Sequence, residues 1–395
     1  MKISPHWLRT DALQFVLGEL SDGGRHAYCV GGCVRDAVLG FPVNDIDIAT
    51  DRTPGEVEQV FSSWDHVRIL PTGVDHGTWT VMIEDEAFEV TTFRKDVETD
   101  GRRATVAFAK SIEEDAQRRD FTMNALYMDW QGNVLDPTGQ GMQDLMTREV
   151  RFIGIAEDRC REDYLRILRL FRFHAKYGKG PINADAYWAS ATCAHGLEKV
   201  SGERIWAELK KLLSMHDPLD ALLEMQRSGV LPLILPEHAD PMNVADVMAV
   251  ERAASMAPGW ERRFVALMGY DRAEVPFPHS KEERRVLSTL TKNWRRGMIA
   301  AHAAFITKDR ARAYDCAVLA RASSRFGWDD TVHMSVDRGL EAQLPVGTAH
   351  FMENGVDPGP ALGECMRKAF SSFLASDLLA TKEQLLNRVL ERHPA

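Results

Sequence analysis

The chain has 395 residues, 45% hydrophobic and 27% charged, the balance of an ordinary globular protein with room for about two to four domains. A net charge of −10 argues against a protein basic over its whole surface, no apolar run reaches the length of a membrane span, and residues 1–15 carry no apolar signal core. The six cysteines are scattered without a Cys-x-x-Cys pair, which argues against a zinc site or disulfide framework and suits a reducing cytoplasm.

In chain order, Leu8–Leu20 has the spacing of an amphipathic helix. It leads into Tyr28–Thr50 (YCVGGCVRDAVLGFPVNDIDIAT), the stretch around which the rest is organised. A short β-rich run ends in Gly31-Gly32, a helical turn carries Arg35 and Asp36, and a second strand-like run carries Asp45 and Asp47. Residues i and i+2 of a strand share a face, so these two carboxylates repel unless a cation lies between them. An oxygen-preferring divalent ion such as Mg²⁺ satisfies that pair. Glycines without Cβ atoms, followed by a helix N-terminus, suit a phosphate group. For Asp-x-Asp alone, a turn with two solvated aspartates is the more frequent solution; the whole stretch points to a metal-bound nucleoside triphosphate.

Thr53–Trp64 reads as a helix capped by Thr53 with Pro54 at its first position. Strands are expected at Val67–Leu70, Thr78–Ile83 and Phe88–Phe93. Glu89, polar between apolar neighbours, is either a third carboxylate of the site or a solvated edge residue. His76 has the setting of a turn residue, and the polar stretch Arg94–Lys110 suits a mobile loop near a substrate. In Arg118-Arg119-Asp120-Phe121-Thr122-Met123-Asn124-Ala125, planar guanidinium forks suit phosphate oxygens, while Asp and Asn suit ribose hydroxyls. A capped helix start accounts for the same residues. Asp136-Pro137-Thr138-Gly139-Gln140-Gly141 reads as a turn-rich exit from this α+β part, which ends near Val150.

Helical periodicity takes over after Ala156. Glu162–Arg169 opens an amphipathic helix with Tyr164, Ile167, Leu168, Phe171 and Ala175 facing a core. Asp163 and Arg166, at i and i+3, are either an intrahelical ion pair or an acceptor and forked donor for a base edge. Two basic islands interrupt the acidic average: seven basic residues against two acids over Arg159–Lys179, and nine against three over Lys281–Arg312, where Trp294 sits mid-patch.

Taken together and in this order, Gly31-Gly32-x-x-Arg35-Asp36, Asp45-x-Asp47, Arg118–Ala125, Asp136-Pro137 with Gly139, Gly141 and Asp144, and Glu162-Asp163-x-x-Arg166 resemble the class II tRNA nucleotidyltransferases. That family comprises CCA-adding enzymes and bacterial poly(A) polymerases, and the likeness extends through Ser201–Glu237. The resemblance implies an α+β, polymerase-β-like nucleotidyltransferase head with a mixed β-sheet, followed by an elongated all-α neck, body and tail. The expected divisions are a head over 1–150, a neck and start of the body over 151–240, and a body and tail over 241–395. It implies Mg²⁺ on Asp45 and Asp47; Glu89, read from its place in the neighbouring strand, is the candidate for a further catalytic carboxylate. It implies a triphosphate held by Gly31, Gly32 and Arg35, and nucleotide contacts from Arg119, Asp120 and Asn124. Asp163 and Arg166 would pair with incoming CTP or ATP, with Arg169 beside them, and Arg94–Lys110 would serve the switch from C to A. The partners implied are CTP, ATP and the 3′ end of tRNA. A tail of mixed charge favours CCA addition over poly(A) synthesis. CC-only or A-only transfer and a non-catalytic RNA-binding relative are the remaining alternatives.

Overall fold

The computed structural model describes residues 1–73, 77–99, 104–272 and 274–390, so His76 and the centre of Arg94–Lys110 lie outside the described residues. The first helix, α1 (Asp11–Ser21), buries Leu13, Val16, Leu17 and Leu20, which share one face at three- and four-residue spacing. Thr10 caps it by accepting from the Leu13 N–H at 3.4 Å. That cap separates α1 from a 3₁₀ turn at His6–Arg9, so the single helix expected over Leu8–Leu20 is two elements.

Strand β1 (Ala27–Val30) runs through Gly31 into α2 (Gly32–Val38). Gly31 has φ +74°, a conformation L side chains rarely adopt, and this is what lets strand turn directly into helix. After β2 (Ile46–Thr50), α3 (Pro54–Ser62) starts at the expected place, closed by a reciprocal Thr53–Glu56 capping box. Then come β3 (Val67–Gly73), β4 (Thr78–Ile83) and β5 (Glu86–Thr92). Arg94–Lys110 is not simply a loop: β6 (Arg94–Thr99) and β7 (Ala104–Phe108) pair antiparallel. Helix α4 (Ile112–Gln117), β8 (Tyr127–Met128), β9 (Val134–Leu135) and α5 (Gly141–Thr147) complete this part.

Seven strands form one sheet in the order β3-β4-β5-β2-β1-β8-β9. Only β2 and β5 run parallel, so the sheet is mixed as expected. Strand alternation gives it two different faces. Trp79, Val81 and Ile83 of β4 and Phe88 and Val90 of β5 are buried on one of them. The other presents Asp47 of β2 directly opposite Glu89 of β5, which is opposite Thr80 of β4, which is opposite Leu70 of β3.

Helices follow: α6 (Ala156–Glu162), α7 (Leu165–Tyr177), α8 (Ala184–Cys193) and α9 (Gly202–Leu213). Ile167, Leu168 and Phe171 of α7 are buried as expected, together with Leu170, Phe173 and Tyr177; Tyr164 and Ala175 are only half-buried.

The chain divides into two compact units, Met1–Glu208 with Asp220–Ile234, and Leu209–Leu219 with Leu235–Ala395. The second is helical. Its central helix, Arg310–Ser324, is rich in alanine and buries Ala313, Cys316, Ala317, Val318, Leu319 and Ala320. Small residues allow close approach: a Cβ on Gly297 would stand 2.0 Å from the Cys316 carbonyl oxygen. Glu251, almost wholly buried, accepts from Arg262 Nε at 2.6 Å and from Arg263 Nε and Nη2 at 2.9 and 2.6 Å. Arg262 Nη1 also donates to Asp315 at 2.9 Å. Trp294, in the middle of the basic stretch Lys281–Arg312, is buried, with its indole N–H on Asp271 at 2.9 Å.

Candidate active site

Within the first unit, a cleft of about 450 Å³ opens beside the β1–α2 turn. Gly31, Gly32, Arg35, Arg119, Asp120 and Asn124 line it from the head. Asp163, Arg166 and Arg169 line it from the helices after the head, and Asp47 reaches it from β2. Thus all nine residues expected to bind nucleotide, and one of the three expected catalytic carboxylates, share one cavity. Six arginines (Arg35, Arg118, Arg119, Arg166, Arg169, Arg204) and three aspartates (Asp47, Asp120, Asp163) line it. Behind the wall, Asp36, Asp115 and Glu162 pair with Arg35, with Arg118 and Arg119, and with Arg166, so the lining offers many guanidinium donors held in place by carboxylates. Such a lining suits a polyanion of nucleoside-triphosphate size.

The turn at Gly31 is less open than expected. Its N–H donates to Leu126 O at 3.0 Å, so the donors left for a phosphate belong to the first turn of α2. Arg35 is buried, with Nη1 bonded to Asn124 Oδ1, Nη2 to the Tyr177 hydroxyl, and Nε to Asp36 Oδ1 at 2.8 Å. Its guanidinium stacks on the Tyr177 ring at 4.1 Å and the Phe173 ring at 5.2 Å. Arg35 therefore ties α2 to α7 and braces the cleft wall.

A second brace lies under Arg119. Its Nη2 and Nε donate to Asp115 Oδ2 at 2.9 and 3.2 Å, and the Tyr127 hydroxyl donates to the same oxygen at 2.7 Å. Burial acts to raise the Asp115 carboxyl, but Arg119 and Arg118 hold it down to about 2. Asp120 is built the same way. Its Oδ1 accepts from Asn124 Nδ2 at 2.9 Å, and its Oδ2 accepts from Arg169 Nε at 2.8 Å. These bonds outweigh burial and leave the carboxyl below its ordinary range.

Asp163 and Arg166 do not sit on one helix. The chain is extended at Asp163, between α6 and α7. Asp163 Oδ1 accepts from the Leu165 N–H at 3.2 Å, and its Oδ2 accepts from Arg204 Nη2 at 2.8 Å. Arg166 bonds elsewhere, from Nη1 to Glu162 Oε2 at 2.6 Å and from Nη2 to the Arg118 carbonyl at 3.0 Å. The intrahelical ion pair that the spacing alone allowed is absent, and both groups project into the cleft, the other of the two readings, with different side-chain partners. Arg118, Leu165, Phe173 and Arg204 are lining residues the sequence reading did not assign. Arg118 lay inside a motif already singled out, whereas Arg204 comes from α9, 41 residues beyond its partner, with no local signal.

The carboxylates form their own group at the cleft's edge. Asp47 and Glu89 face each other across parallel strands, and Asp45 stands one residue before β2. Burial, Glu89 and Asp45 raise the Asp47 carboxyl above its ordinary value, with Arg119 acting the other way. Among the described residues no three His, Cys, Asp or Glu side chains form a closed metal cluster. Two neighbouring carboxylates with one already strained toward protonation still fit a hard divalent ion. Such an ion, when held by few protein ligands, takes the rest from water and phosphate.

A mixed sheet carrying paired carboxylates beside an arginine-lined cleft defines a nucleotidyltransferase head. Residues 27–151 match the family model of the poly A polymerase head domain, and residues 182–242 match that of the probable RNA and SrmB-binding site of polymerase A. The CCA-adding enzyme of Streptococcus sanguinis is 34% identical over 375 residues, 89% of this chain and 90% of that protein. The CCA-adding enzyme of Streptococcus uberis is 45% identical over 222 residues, a match spanning 55% of this chain and 53% of that one. The Bacillus stearothermophilus CCA-adding enzyme, solved in complex with CTP, superposes with TM-score 0.70 at 26% identity over 96% of each chain. The chain belongs to the CCA-adding enzymes, which are tRNA nucleotidyltransferases. Members of the wider nucleotidyltransferase family use divalent metal.

Proposed function

We propose that this chain adds C, C and A in turn to the 3′ end of tRNA from CTP and ATP, with protein side chains in place of a nucleic-acid template. The observation that carries the reading is the convergence of Asp163, Arg166 and the phosphate-directed arginines with Asp47 in one cleft. The first turn of α2 and Arg119 hold the triphosphate. Asp120 and Asn124, locked by Arg169 and Arg35, form the wall beside the ribose. Asp163 offers acceptors and Arg166 donors to the base edge, a pattern that separates bases by hydrogen bonding. Asp45 and Asp47 would hold Mg²⁺, which would supply charge neutralisation for the transfer. Glu89, facing Asp47, takes up the proton of the tRNA 3′-hydroxyl as that oxygen attacks the α-phosphate and pyrophosphate leaves. The six cysteines are free and buried, which suits work in the cytoplasm.

Labelled nucleotides supplied singly to tRNAs ending at the discriminator base, after the first C and after CC test this directly. C addition to the first two, A addition to the last and then arrest are expected. Long A-tracts on unrelated RNA would make the chain a poly(A) polymerase, and C-only or A-only transfer a partial enzyme. In the same assay Arg166→Ala is expected to lower the preference for CTP and ATP over UTP and GTP about tenfold or more, the worth of one to two charge-assisted hydrogen bonds. Unchanged selectivity removes Arg166 from the base-reading role.

A further inference from the structure

The sheet face that presents Asp47 and Glu89 continues beyond them to the edge of the sheet. From β2 outward, one row reads Asp47, Glu89, Thr80 and Leu70. The next row reads Ala49, Thr91 and Thr78. Thr72, at the irregularity that closes β3, joins the face by bonding its hydroxyl to that of Thr80 at 2.9 Å. Thr78 and Thr91 bond in the same way at 3.0 Å. Arg68 is opposite Met82, so it lies on this face as well, and it is exposed at the outer edge. The opposite face of the same strands is apolar core.

Two features of this face are specific. In each threonine pair one hydroxyl donates to the other, leaving the second hydroxyl proton, among the described residues, to donate outward. Two free donors and one guanidinium therefore lie on a half-buried surface that begins at the reacting carboxylates. At about 4.8 Å per strand, the row from Asp47 to β3 is roughly 14 Å long, enough for several stacked nucleotides at ~3.4 Å each. Among the described strand residues this face carries no aromatic ring, so what it offers is backbone recognition by hydroxyl donors and a cation.

We propose that this threonine-lined face carries the sugar-phosphate backbone of the tRNA 3′ strand upstream of the attacking hydroxyl. Thr80 and Thr78 act as positioning residues and Arg68 as the outer phosphate contact. The proposal rests on the tRNA reading above and deepens it: the carboxylates hold the reacting end, and the hydroxyls align the nucleotides behind it.

The test measures KM for tRNA and for CTP separately in the full chain. Thr78→Val with Thr80→Val keeps side-chain shape and removes the donors. It is expected to raise the tRNA KM about tenfold while the CTP KM moves less than twofold, and Thr80→Ser in place of Thr80→Val is expected to recover most of the loss. Arg68→Ala is expected to flatten the slope of log KM for tRNA against log salt by about 0.7, the share of one single-strand phosphate contact. An unchanged tRNA KM in the valine variant, or a CTP KM that rises with it, overturns the proposal. If the valine variant loses CTP binding through misfolding, the edge substitutions Thr72→Val and Arg68→Ala decide by the same two constants. A wild-type chain that transfers nothing to tRNA sinks the functional reading instead, and is seen before any variant is made.

Discussion

Asp45→Ala with Asp47→Ala is expected to lower the rate of nucleotide addition by at least about 10³-fold while leaving the fold and tRNA binding in place. The size follows from the several kcal/mol that charge stabilisation by a bound metal contributes, at 1.36 kcal/mol per tenfold. Retention of the fold follows from the electrostatics of the free protein. Burial together with Glu89 raises the Asp47 carboxyl, so its charged form is disfavoured in the folded chain relative to the unfolded one. For an acid shifted upward, the ionised group costs stability as pH rises past its ordinary range, and removing it relieves that cost. Without metal, the double variant is therefore expected to melt no lower than the parent. Single-turnover incorporation of labelled CTP, tRNA retention on a filter and thermal melting check the three parts. Activity within tenfold of the parent would remove these carboxylates from the reacting centre.

The second large effect lies far from the chemistry. Glu251→Ala is expected to destabilise the second unit by about 3–5 kcal/mol, because it takes the paired carboxylate from buried Arg263 and leaves buried Arg262 with Asp315. Glu251 is 2% exposed, and Arg262 and Arg263 are 5% and 2% exposed. The comparison that isolates burial is Glu282→Ala. Its pair with Arg285 has nearly the same separation, 2.7 Å against 2.6 Å, but both side chains are about two-thirds exposed. Solvent screening leaves such a pair worth roughly 0–1 kcal/mol. Urea unfolding of both variants measures the contrast. Equal midpoints would show that the buried network contributes nothing beyond a surface pair.

What was legible in the sequence was what local chemistry dictates. Thr53-Pro54 with Glu56 forms its capping box within four residues, and the Gly31-Gly32 turn needs only a backbone that tolerates positive φ. Glu89 was legible as a polar interruption, but its place opposite Asp47 depends on a parallel pairing across 42 residues. The break at Asp163 was hidden because apolar spacing runs through both α6 and α7, and a pattern carried across a break reads as continuous helix. The β6–β7 hairpin was hidden by its polar composition, which resembles a loop until its partner strand is known. Trp294 lies in a run whose charge suggests a surface, whereas its indole finds Asp271 across 23 residues. The arginines of Arg159–Lys179 read as a free basic island. In the fold Arg166 is held by Glu162, Arg169 by Asp120 and Arg172 by Glu208, so this run is largely neutralised and aimed.

The break at Asp163 also bears on descent. Asp163 is steadied by Arg204 of α9, while Arg166 is steadied by Glu162 and the Arg118 carbonyl. The side chains of the two groups proposed to recognise the base thus rest on different partners among the described residues, while their backbones are joined by the Arg166 N–H donating to the Asp163 carbonyl at 2.9 Å. A substitution at Arg204 alters one and leaves the other seated, so a lineage can retune its choice of nucleotide by small heritable steps. A pair locked to each other would have to change together or not at all.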